Sequence, residues 1–140
     1  MKIRYSTAFR QASGDVIGTM VDSGTGAGYV EFRTGTQPAT GDDVASGTLL
    51  GTLDFAATSF AATNASGQTT ANTVSPDVDA DNSGEVTWAR IYDGDGGTVV
   101  DVDVTETGGG GFFIVADATI VAGGQINIVS MSFTVPAGVG

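Results

Sequence analysis

Hydrophobic and polar residues alternate over much of this chain, the pattern expected of half-buried β-strands. The clearest case lies in the second half, where Val100, Val102 and Val104 share one face of a strand and Asp101 and Asp103 share the other. This alternation predicts a strand with one face in a core and the other in water.

Other stretches of apolar and β-branched residues predict further strands at 29–33, 48–55, 69–74, 85–93, 112–115, 118–121 and 125–135. The Asp- and Gly-rich segment 93–97 is typical of a turn that joins two hairpin strands. In the last strand the apolar face changes after Ile128, which predicts a β-bulge or a strand that passes between two sheets.

The only helical periodicity lies near the N-terminus, where the apolar residues are Tyr5, Ala8, Phe9, Ala12, Val16, Ile17 and Met20. Their spacing of three and four predicts an amphipathic helix over residues 5–21, with Ser6 or Thr7 as its N-cap. Gly14 and Gly18 weaken this helix by about 1 kcal/mol each relative to Ala. We therefore expect the helix to pack its apolar stripe against the rest of the molecule.

These elements predict one mainly β domain over residues 1–140. A helix occupies residues 1–23, and an antiparallel β-sandwich, jelly-roll-like, or a small barrel occupies residues 29–140. The segment 34–47 is rich in turn residues and is predicted to be a surface loop. The long irregular segment 56–83 is predicted to be a partner-contacting or disordered excursion.

The composition narrows the possible functions. The chain carries 5 Lys and Arg against 16 Asp and Glu, a formal net charge of −11, and it has no Cys and no His. This charge repels phosphates and anionic lipid headgroups, so we expect no direct binding of nucleic acid or membranes. Without His or Cys the chain lacks the usual general base and zinc ligands, and we expect no enzyme activity.

One acidic cluster has the alternating carboxylates of a calcium loop: Asp77, Asp79, Asp81 and Glu85. A hard cation prefers several oxygens that converge from one turn. The EF-hand pattern nevertheless fails, because Asn82 replaces the turn glycine and Trp88 replaces the bidentate Glu. The two interpretations are a calcium site and a solvated acidic turn, and we expect no other cofactor.

Five segments together carry a resemblance to a known family: 3–10, 32–39, 45–53, 84–93 and 119–128. In this order they resemble small proteins encoded in the structural gene clusters of tailed bacteriophages and prophages, over nearly the whole chain. The resemblance implies a virion part made in the host cytoplasm. It further implies a head decoration or cement protein on the outer surface of the head. Such a protein is a homo-oligomer, for example a trimer, bound to the major capsid protein.

The N-terminal region is the candidate docking element, and its candidate residues are Lys2, Arg4, Tyr5, Phe9 and Arg10. Three of the five positive charges lie here and could contact an acidic capsid surface. The alternative is that the helix only covers the open end of its own sandwich.

Two other functions remain open. One is a tail or neck component or fibre adaptor, because the same fold would serve there. The other is a carbohydrate or host-surface binding module, which requires an exposed aromatic platform formed by Trp88 and Tyr92. If Trp88 is instead a core anchor, this module is excluded.

Overall fold

The computed structural model describes all residues from Met1 to Gly140 and is mainly β with one α-helix. The elements, in chain order, are β1 (Ile3–Arg4), α1 (Thr7–Val21), β2 (Tyr29–Arg33), β3 (Leu49–Asp54), β4 (Gln68–Thr70), β5 (Gly84–Glu85), β6 (Trp88–Tyr92), β7 (Thr98–Glu106), β8 (Phe113–Val115), β9 (Thr119–Ile120), β10 (Ile128–Thr134) and β11 (Gly138–Val139). The predicted mainly β fold with a single N-terminal helix is confirmed.

Seven strands form one mixed sheet in the order β3-β2-β6-β7-β8-β10-β4. Two short pairs, β1–β11 and β5–β9, stand beside it. All pairs are antiparallel except β7–β8, which is parallel. The prediction of a purely antiparallel arrangement is wrong at this pair.

The parallel pair depends on a tight return of the chain through residues 107–112. Parallel neighbours usually require a crossover of about a dozen residues or more. Here the chain folds back along β7, with a hydrogen bond from Gly109 N to Glu106 O of 2.9 Å and one from Gly111 N to Thr105 Oγ1 of 2.9 Å. A Cβ on Gly109 would lie 2.5 Å from the Thr105 side chain, so the close return requires glycine there.

The hydrophobic core lies on the inner face of the large sheet. It includes the fully buried side chains Val30, Phe32, Leu50, Leu53, Ile91 and Phe113. Val102 and Val104 of β7 are buried as predicted, and the register of β10 shifts between Ile128 and Ser130. The predicted change of face in the last strand is therefore a bulge.

The irregular segment 56–83 covers one edge of the sheet along β3. Ser75 N donates to Asp54 O at 2.9 Å, and Asp81 N donates to Leu50 O at 2.8 Å. An uncovered edge presents unpaired backbone groups that recruit other strands. These bonds remove that exposure along β3.

The same segment covers the opposite edge along β4. Ala61 N donates to Thr70 O at 2.9 Å and Asn64 N donates to Gln68 O at 3.0 Å. Ser59 and Phe60 are buried there. Segment 56–83 therefore supplies the edge strand β4 and packs against its own sheet, so the predicted disordered excursion is corrected, and contact of this segment with a partner stays a prediction.

The loop 34–47 covers the outer face of β6. The indole Nε1 of Trp88 donates to Thr34 O at 3.0 Å, and Trp88 is 1% exposed. Trp88 is thus a core anchor. Beside it Arg90 makes two hydrogen bonds to Asp101, of 2.6 and 2.8 Å, and the two side chains are only 5% and 4% exposed. The prediction that Asp101 faces water is wrong, because a cation from the neighbouring strand neutralises it.

The helix α1 begins after Ser6, whose hydroxyl accepts a hydrogen bond from Phe9 N at 3.1 Å, as expected of an N-cap. It lacks the length and continuous apolar character that a membrane-crossing helix requires.

Candidate docking surface

The inner face of α1 is formed by small residues instead of the predicted apolar stripe. Its buried residues are Gly14, Gly18 and Val21. A Cβ on Gly14 would lie 2.3 Å from Thr63 Oγ1, so only glycine permits this approach. The two glycines weaken the helix in isolation, but they allow its backbone to pack closely on the segment that follows β3.

Polar contacts fix this inner face. Asp15 Oδ1 accepts a hydrogen bond from Thr63 N at 2.7 Å, and this bond lowers the pKa of Asp15 below its ordinary value. Asp22 Oδ1 accepts a bond from Ser59 N at 2.9 Å. Both carboxylates therefore hold α1 to the 59–63 segment.

The opposite face of α1 is apolar and exposed. Phe9 is 51% exposed, Val16 52% and Met20 46%, and we call these three residues the docking face. Tyr5 stacks on Phe9 with ring centroids 4.7 Å apart. The predicted packing of the apolar stripe into the core is therefore wrong, apart from Ile17, which is partly buried against it.

A groove runs beside the docking face, between α1 and β7, with a volume of about 350 Å³. We call it the α1–β7 groove, and eight of its nine lining residues are hydrophobic, among them Val16, Ile17, Met20, Val99, Phe112 and Phe133. Phe112 and Phe133 stack with centroids 5.7 Å apart and form its far wall. Contiguous exposed apolar surface of this kind marks interaction sites on soluble proteins.

An acidic loop adjoins one end of the groove. Val99 and Val100 also line a second hollow of about 250 Å³, whose other wall is the segment 37–41. Asp42 and Asp43 follow this segment directly and are exposed. The end of the groove at the 34–47 loop is therefore negatively charged.

Two of the predicted docking residues, Arg4 and Arg10, make hydrogen bonds within the fold. Arg4 donates to Val139 O and Gly140 O, at 3.3 Å each, which holds the β1–β11 pair. Arg10 Nε donates to Val135 O at 3.0 Å, and its terminal nitrogen donates to the Ser66 carbonyl. These bonds give both guanidinium groups a structural role, and their contribution to docking stays a prediction.

The remaining predicted docking residues lie at the protein surface. Lys2 and Phe9 are exposed, and Tyr5 is partly buried beneath the Phe9 ring. Lys2 belongs to neither of the two ion pairs, which are Arg33–Glu31 at 2.7 Å and Arg90–Asp101.

The structure does not bring the predicted calcium ligands together as a group of three or more. Asp77 Oδ2 accepts from Thr52 N at 3.0 Å, and its Oδ1 accepts from Asp79 N at 2.9 Å, so this carboxylate fastens the acidic turn to β3. Asp79, Asp81 and Glu85 are exposed.

The predicted aromatic platform does not form. Trp88 is buried, and Tyr92 stacks on Tyr29 with centroids 4.8 Å apart while remaining only partly exposed. Burial is the main cause that raises the pKa of both tyrosines above the ordinary value of 10.0.

Sequence reasoning missed the α1–β7 groove, since Val99 and Phe133 come from two different strands and Phe112 from the return before β8. One signal was present in the chain: Gly14 and Gly18 are four residues apart and so share a helix face. Small residues at that spacing mark the face of a helix that packs closely.

Comparisons with known proteins return no match: no family model, no curated protein and no solved structure resembles this chain significantly.

Proposed function

We propose that this chain is a virion structural protein of a tailed bacteriophage, a capsid decoration or cement protein. It binds the major capsid protein on the outer surface of the head and stabilises the shell. The observation that carries the proposal is the docking face, a helix surface on which three large apolar side chains are about half exposed. The resemblance of the five sequence segments supplies the virion setting.

The mechanism is burial of apolar surface across subunit boundaries. Each square ångström of apolar surface removed from water contributes about 25 cal/mol, and many copies on one shell multiply a small gain per copy. A binding module without a catalytic site needs only a rigid scaffold and such a surface, and the covered sheet edges keep free copies from associating through their strands. The net charge of −11 keeps unassembled copies soluble.

The jelly-roll-like sandwich belongs to the same proposal. Its support is that isolated bridges, Phe55 to Val74 and Phe60 to Ala71, join the chain after β3 to the chain around β4 and draw the two sheet edges together.

Copy number and location in the purified virion test the proposal. We expect hundreds of copies distributed over the head, measured by quantitative gel electrophoresis and electron microscopy of labelled particles. A few copies at the neck or tail would replace the decoration role with the tail or neck component, which uses the same docking surface. Absence from the particle would overturn both.

Point variants test the surface itself. Removing α1 would also remove Arg10, Gly14 and Val21 from the fold, so a deletion is uninformative. We expect the double variant Val16→Asp/Met20→Asp to lose binding to undecorated heads in a co-sedimentation assay.

The matched control is Val78→Asp/Val121→Asp. It adds the same charge at two valines that are 69% and 64% exposed in other loops. Equal head binding by the two double variants would contradict the assignment of the docking face.

A further inference from the structure

The shape of the α1–β7 groove suits side chains from one face of a partner's helix or strand. Its walls are α1 on one side and Val99, Phe112 and Phe133 on the other, and its lining holds one polar residue, Ser13. Such a surface selects apolar side chains and gives no hydrogen-bond direction, so any further selectivity must come from the rim.

The rim at the 34–47 loop is acidic. Asp42 and Asp43 are exposed there and follow the segment 37–41, which shares the hollow lined by the groove residues Val99 and Val100. An occupant with cations at that end gains attraction, and one with carboxylates is repelled.

Only one of the five cationic side chains of this chain, the exposed Lys2, is without a partner within the fold. Arg33 and Arg90 are paired with Glu31 and Asp101, and Arg4 and Arg10 donate to carbonyl groups of their own chain. A second copy would bring a formal charge of −11 and the same acidic loop toward the groove. Charge complementarity therefore disfavours a second copy and favours a basic partner.

We infer that the α1–β7 groove binds a basic amphipathic segment of a partner protein, with apolar side chains in the groove and Lys or Arg beside Asp42 and Asp43. This inference rests on the proposed docking role and names the chemistry of its partner. Any self-association of this chain then uses a different surface.

The first experiment uses the full chain and a synthetic amphipathic helical peptide with leucines on one face and lysines elsewhere. Two matched probes accompany it: a version with glutamates in place of the lysines, and a scrambled version with the leucines distributed around the helix. We expect calorimetry to show that the lysine peptide binds at least about tenfold more tightly than either probe, a difference of about 1.4 kcal/mol. Binding weakens as salt is added. Equal binding of all three peptides overturns the inference.

Variants locate the binding. We expect Val16→Asp/Met20→Asp to abolish binding of the lysine peptide, and Asp42→Asn/Asp43→Asn to weaken it several-fold. The charge-matched control Asp79→Asn/Asp81→Asn, in the acidic turn of the other loop, should retain the affinity of the unaltered chain apart from a small general field effect. Equal weakening by the two asparagine pairs overturns the assignment of the rim.

Sedimentation velocity distinguishes a second copy. We expect the unaltered chain and Val16→Asp/Met20→Asp to have the same oligomeric state. An oligomer that dissociates in this variant overturns the inference in favour of a second copy in the groove. A chain that is absent from virions yet binds the lysine peptide as described overturns the proposed function and supports the inference.

Discussion

Arg90 and Asp101 lie under the 34–47 loop with their charged groups almost fully buried, whereas Phe9, Val16 and Met20 of α1 are about half exposed. The usual distribution of polar and apolar residues is reversed in both regions. In the first region each charged group finds its partner inside the fold, with Trp88 packed alongside at 5.7 Å from the guanidinium carbon to the ring centroid. In the second region Tyr5 stacks on one face of Phe9, but all three apolar side chains remain about half exposed.

The two regions differ in whether the fold itself accounts for the unusual placement of their side chains. A buried charge that is fully paired is explained by the fold itself. An exposed apolar face beside an apolar groove is not explained by the fold and points to a binding partner. If this contrast is right, substitutions in the charged region destabilise the fold, and substitutions on the docking face leave its stability nearly unchanged.

The largest effect is expected in the charged region. Asp101→Ala leaves Arg90 buried without its partner, and we expect a loss of about 3–5 kcal/mol in the free energy of unfolding. Hydrogen bonding to Asp101 raises the pKa of Arg90 in the unaltered chain. The variant loses this effect, but its guanidinium stays charged because arginine side chains are not deprotonated in proteins. Urea unfolding followed by circular dichroism measures the loss, with the exposed-site variant Asp79→Ala as control. Equal stability of the two variants would show that Arg90 reaches water when its partner is removed.

Two substitutions on the inner face of α1 are expected to change the free energy of unfolding in opposite directions. Gly14→Ala places a Cβ against the hydroxyls of Thr63 and Thr69, which bond each other at 2.7 Å, and we expect a loss of about 1–3 kcal/mol. Gly18→Ala meets its first neighbour, Phe60 Cβ, only at 3.4 Å. We expect it to stabilise the fold by about 0.5–1 kcal/mol, because Ala is the better helix former. Denaturant unfolding of both variants measures the difference, and the same sign for both would contradict the described packing.

The docking face should contribute little to stability. We expect Val16→Asp/Met20→Asp to change the free energy of unfolding by no more than about 0.5 kcal/mol per site, as for ordinary surface substitutions. Thermal unfolding beside the Val78→Asp/Val121→Asp control measures this. A loss of several kcal/mol would place the face in the core, and the contrast between the two regions would fail.

The smallest expected effect is on the stability of the fold at acidic pH. The hydrogen bond from Thr63 lowers the pKa of Asp15 in the folded chain below its ordinary value of 3.8. The stabilisation from this carboxylate is therefore present above pH 3.8 and is lost as the pH falls through the folded value. We expect Asp15→Asn to show a flatter dependence of stability on pH below 3.8 than the unaltered chain. Equilibrium unfolding over that range, with Asp81→Asn as control, tests it, and parallel profiles for Asp15→Asn and the unaltered chain would contradict it.

The local elements could be predicted from the sequence because short-range physics determines them. The Ser6 cap, the 93–97 turn and the buried Val102 and Val104 follow from capping, turn chemistry and alternation. The parallel β7–β8 pair could not be predicted, because the return through Gly109 and Gly111 is specified by contacts with Thr105 and not by periodicity.

The sites depended even more on distant contacts. The burial of Asp101 requires Arg90 from the adjacent strand, and alternation within β7 carries no information about that residue. The apolar stripe of α1 faces outward because the glycine face of the helix packs closely against Thr63 and Thr69. For the same reason, the predicted roles of Arg4 and Arg10 were assigned from charge alone, without the carbonyl groups they contact.

The sheet order also governs when this chain can fold. β4 pairs only with β10, and β1 pairs only with β11, so elements of the first half wait for residues near the other end. Pairing between distant segments is slow, and we expect refolding in about milliseconds to seconds. On the ribosome, where about 5–20 residues are added each second, the side of β4 that faces β10 stays unpaired until residues 128–134 have emerged. Completion of the sheet therefore waits until the strand that pairs with β4, more than 50 residues further along the chain, has been made.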